Sequence, residues 1–62
     1  MSYQPLADHL RSALAIMEEM IHQQTHLVRA DRGNLGLEAK LVWLKGQAKL
    51  IRKVFIQIED LP

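Results

Sequence analysis

Apolar residues recur in alternating steps of four and three through both halves of the chain. Between the two halves lies Asp31-Arg32-Gly33-Asn34-Leu35-Gly36, where two glycines and an asparagine stand close together. Steps of four and three return a side chain to the same face of an α-helix. The pattern therefore restricts the chain to helices, and the break fixes how many there are.

In the first half the seam reads Leu6, Leu10, Ala13, Met17, Met20, Gln24 and Leu27, with Leu14, Ile21 and Val28 on the adjoining row. A stripe this broad suits a helix packed in a bundle. Pro5 marks its start, because a first-turn proline loses no hydrogen bond and already has helical φ. Helix one is expected over about residues 5–31. The second half repeats the steps at Leu37, Leu41, Leu44, Ala48, Ile51, Phe55 and Ile58. Gly46 is the poor helix former inside it, costing up to about 1 kcal/mol relative to alanine. Helix two is expected over about residues 36–60, with Pro62 ending the chain.

The break at about 32–35 reads as a hinge. Gly33 suits the left-handed residue that ends a helix, and Asn34 can accept a hydrogen bond from a free amide of the next helix. Arg32, in the last turn of helix one, and Glu38, in the first turns of helix two, carry the signs that the helix dipoles favour. A phosphate cradle would need a strand before the glycines and a lysine at fixed spacing after them, and neither is present. One continuous rod is the competing geometry, but a short turn between long helices favours antiparallel neighbours. The fold class is all-α: an antiparallel two-helix hairpin as a single domain spanning 1–62.

A chain of 62 residues is near the lower limit for folding alone, and small scaffolds usually add a disulfide, a metal or a second subunit. There is no cysteine, which excludes disulfides and thiolate metal sites. Oligomerisation is the remaining remedy. Helix one places Asp8, Arg11, Glu18, Glu19, His22, Gln23, His26 and Arg29 mostly off its stripe. Helix two is apolar around more of its circumference: Trp43, Leu50, Val54 and Leu61 form a second row with Gln47 and Gln57, and Val42 and Ile56 lie on a neighbouring one. A helix this apolar is buried on more than one side.

A second copy is the simplest cover, because two-fold dimers are the commonest soluble oligomers. The expectation is a homodimer forming a four-helix bundle, with Trp43, Leu50, Val54, Ile56 and Leu61 as its interface. In size and layout such a molecule resembles the Rop-type plasmid copy-number regulators, which are dimers of helical hairpins. No motif is shared with them, so no functional residue is carried over. A second use for the same row is to receive an amphipathic helix from a different protein, with Trp43 as anchor.

Glu18, His22 and His26 follow one another at single turns and share a face that could present three ligands to zinc or nickel. That face points away from the apolar stripe and lacks a shielding shell. A solvated polar face is the better reading, and no metal or other cofactor is assigned. Glu19 and His22 make the Glu-x-x-His step of di-iron bundles, but those sites face inward and need further carboxylates. Ser2, Ser12 and Thr25 are not spaced for nucleophilic catalysis. No enzyme is expected.

Lys45, Lys49, Arg52 and Lys53 recur at helical spacing on the side of helix two away from Trp43. Such a stripe could sit on phosphates, with affinity falling steeply with salt. The chain's net charge is only +1 and it has one residue each of tryptophan, tyrosine and phenylalanine, so nucleic acid is the less favoured partner. Part of the stripe is expected to meet Glu18 and Glu19 across the hairpin, level with about Lys49. Gln24, the polar member of the first seam, is a candidate for fixing register. The longest apolar run, Leu41 to Leu44, is far short of the ~20 residues of a membrane span. No secretory signal is apparent, and a cytoplasmic location is the default expectation.

Overall fold

A computed structural model describes residues 3–61. It contains two α-helices, α1 (Gln4–Ala30) and α2 (Leu35–Glu59), folded back on one another as a hairpin about 48 Å long and 14 × 12 Å across. Each boundary lies one residue before its expected place. The rod is excluded, and Pro62 falls outside the described residues.

The turn follows from three residues. Gly33 has φ +86°, the left-handed region that a side chain disfavours. Asn34 then caps α2, its side-chain oxygen accepting from the Leu37 amide at 3.3 Å while its own amide donates to the Asp31 carboxylate at 2.9 Å. The backbone amide of Asp31 closes α1 on the Leu27 carbonyl at 3.1 Å. Glu38 stands in the first turn of α2 as expected, but Arg32 lies in the turn itself, and Arg29 is the basic residue of α1's last turn. Pro5 is in the first turn of α1, and Tyr3, the residue at the N-cap position, makes no side-chain capping bond.

The helices meet along one seam. From α2 it is the expected row: Leu44 and Ala48 are buried, and Leu37, Leu41, Ile51, Phe55 and Ile58 are half-buried. From α1 the seam is displaced around the helix. Ala7 and Gln24 are buried and Leu10, Leu14, Met17, Ile21 and Val28 half-buried, whereas Leu6, Met20 and Leu27, expected in the seam, are exposed. Steps of three and four run equally well through either set; the row beginning at Ala7 brings a small side chain to the contact and the branched Ile21 and Val28 under α2. Leu44, at 1% exposure, is the centre of this narrow core.

Gln24 is 3% exposed and is satisfied: its Nε2 donates to the Leu37 carbonyl of α2 at 3.0 Å. It joins the end of one helix to the start of the next. Gln24→Ala removes the bond and part of the packing, with an expected cost of about 1–3 kcal/mol, read as a lower urea midpoint. An unchanged midpoint would show that the bond contributes nothing. Gly46, by contrast, is exposed and has open space where a Cβ would stand. Gly46→Ala is expected to raise stability by about 0.5–1 kcal/mol, and a lower melting temperature would contradict this.

Candidate functional site: an apolar face and a basic face

The seam divides the hairpin's surface into two sides. On one, the Arg52 guanidinium reaches the Glu18 carboxylate at 3.5 Å, and the Arg11 guanidinium lies 5.3 Å from the centre of the Phe55 ring. Rotation by 100° per residue places His22 and Arg29 of α1 on this side, with Lys45 and Lys49 of α2. It is a polar face of mixed charge, where Asp8, Glu18, Glu38 and Glu59 stand among the cations and Val42 and Ile56 are exposed. On the other side a shallow concavity is lined by Met20, Gln23, Gln24, Leu27, Lys40 and Leu44. The same rotation adds Leu6, Ala13 and Ile16 from α1 and Trp43, Gln47, Leu50, Val54 and Leu61 from α2. It is an apolar face, interrupted mainly by Lys40 and glutamines.

The apolar face is open. Trp43 is 59% exposed, Leu50 58% and Ile16 62%, and Leu6, Met20, Leu27, Val54 and Leu61 are also exposed. Four of the five residues expected at the interface, Trp43, Leu50, Val54 and Leu61, are brought together on it. Ile56 is not: it lies on the back of α2 in a concavity shared with Lys49, Arg52, Lys53 and Gln57. The contribution of α1 is hidden in the sequence, because periodicity assigns Leu6, Met20 and Leu27 to the intramolecular seam, whereas all three are exposed. The signal was present in Leu14, Ile21 and Val28, a second complete row that left one of the two rows without a partner.

The basic stripe is only slightly neutralised. Glu18 meets Arg52 rather than Lys49, and the pair is about half exposed, which limits it to about 0–1 kcal/mol. Arg11 pairs with Asp8 within α1 at 3.0 Å. Lys45, Lys49 and Lys53 have no ion pair among the described residues.

The polar residues of α1 do not converge on a three-ligand site. Glu18 is turned toward Arg52, Glu19 accepts from the Gln23 amide at 3.3 Å, and His22 and His26 meet each other, their Nε2 atoms 3.3 Å apart. No group of three potential metal ligands forms among the described residues. Thr25 donates its hydroxyl to the Ile21 carbonyl of its own helix at 2.7 Å. No helix among the described residues is long and apolar enough to cross a membrane. Compared with protein-family models, curated proteins and solved structures, the chain shows no match.

Proposed function

We propose that this protein is a non-enzymatic helical interaction protein that pairs with a second copy through its apolar face, forming a four-helix bundle, and acts by binding other proteins as an adaptor, chaperone-like factor or regulatory subunit. The observation that carries this reading is the single continuous apolar face to which both helices contribute. The hairpin exposes 4894 Å², more than the ~4,100 Å² of a compact monomer of its mass, because it is only two helices thick. Pairing two such faces would give each copy the second core layer that one hairpin lacks.

Trp43 reports on this directly. On dilution from high micromolar to nanomolar concentration, its emission should move to longer wavelength and its quenching by acrylamide should increase as the indole loses its cover. An indole quenched as strongly at high micromolar as at nanomolar concentration would contradict self-association through this face. If the quenching were high throughout, the face would be left for an amphipathic helix of a different protein, which affinity capture and mass spectrometry would identify.

A second reading rests on the unpaired Lys45, Lys49 and Lys53, which with Arg52 form a basic stripe that the proposed dimer leaves outward. As a nucleic-acid-binding regulator the protein would hold phosphates there, with affinity falling steeply as salt rises. Binding of generic RNA or DNA at low salt, lost in the Lys49→Glu/Arg52→Glu variant, would favour this reading. Absence of binding at low salt would remove it.

A further inference from the structure

We propose that His22 and His26 form a two-point chelate for a borderline divalent transition-metal ion, Cu²⁺, Ni²⁺ or Zn²⁺, on the outer surface of α1. The two rings stand one helical turn apart, their centroids separated by 4.7 Å and their planes at 87°. Their Nε2 atoms are 3.3 Å apart. Two imidazole nitrogens bound to one metal at about 2.0–2.1 Å, with an angle between about 90° and 109° at the ion, lie about 2.8–3.4 Å apart. The helix thus holds the two donor atoms within reach of one ion, and a turn of one ring is what brings their lone pairs together on it.

In the metal-free pair one Nε2–H donates and the other Nε2 accepts. Metal binding needs both Nε2 lone pairs, so the donating ring takes the tautomer protonated at Nδ1 and turns about its Cβ–Cγ bond until both lone pairs meet at the ion. The neighbouring carboxylates are engaged, Glu18 with Arg52 and Glu19 with Gln23, so water completes the coordination sphere. Imidazole donors select these ions over Mg²⁺ and Ca²⁺, which prefer oxygen. Both histidines are exposed and point away from α2 and from the apolar face, so the site does not depend on how that face is used.

Because α1 sets the spacing, the folded chain binds the ion better than the unfolded chain, and metal should stabilise the fold. Melting of the full chain, followed by circular dichroism, is expected to shift upward by several degrees with excess NiCl₂ or ZnCl₂ and by more with CuCl₂, while MgCl₂ leaves it unchanged. His22→Gln and His26→Gln should each abolish the shift; His9→Gln, which alters the isolated third histidine, should retain it. Calorimetric titration with NiCl₂ should give one ion per chain. No shift at excess metal, a shift that survives either His22→Gln or His26→Gln, or a shift lost in His9→Gln would overturn the proposal.

Discussion

Changing Leu50 to glutamate is expected to separate the protein into single hairpins. The side chain is 58% exposed on one hairpin, so within a single copy the substitution replaces a solvated leucine with a solvated carboxylate at a site compatible with helix. In the paired form it places a charge in an apolar layer, where desolvation without a partner costs several kcal/mol. The penalty falls on both copies of a two-fold interface. Since each 1.4 kcal/mol is tenfold in affinity, the dissociation constant should rise by at least about 100-fold. Sedimentation velocity at a fixed concentration reads this as a lower mass, and a Leu50→Glu protein that sediments like the parent would count against the proposed interface. Ile56→Glu is the matched control: Ile56 is also apolar and exposed but lies on the basic side, so its loss should leave the assembly intact.

The second large effect concerns the seam. Leu44 is 1% exposed and lines the same concavity as the buried Gln24 of α1. Leucine-to-alanine changes at such sites cost about 2–5 kcal/mol, through lost transfer energy and the cavity left behind. A domain of this length has only about 3–9 kcal/mol of total stability. Leu44→Ala should therefore unfold a large part of the population at ordinary temperature, seen as lost helical ellipticity and an early, shallow urea transition. Val42 is 71% exposed on the outer surface, and Val42→Ala should leave both nearly unchanged. If Leu44→Ala melted like the parent, the intramolecular seam would not be what holds the helices together.

The hairpin was legible because its determinants are local. Gly33 supplies a backbone conformation that other residues avoid, Asn34 supplies a cap, and both act within a few residues of their own position. The seam of α2 was legible because one row from Leu37 to Ile58 has no polar exception. The seam of α1 was ambiguous for a physical reason. Its stripe is wide enough to hold two rows at heptad spacing, and periodicity within one helix cannot tell which row faces the other helix. Packing decided that, with Ala7, Ile21 and Val28 turned inward and Leu6, Met20 and Leu27 left outside. The same choice created the apolar face, so the feature that most bears on function followed from the step that sequence alone could not resolve. Similarly, that Arg52 rather than Lys49 meets Glu18 depends on the exact alignment of two antiparallel helices, which a four-residue turn sets only to within about one helical turn.

Sedimentation equilibrium of the unaltered chain, run from nanomolar to high micromolar concentration, tests the central claim most directly. The mass should rise from that of one 7.1 kDa chain to twice that value and stop there. A single-chain mass across the whole range, in a protein that remains fully helical, would contradict pairing through the apolar face.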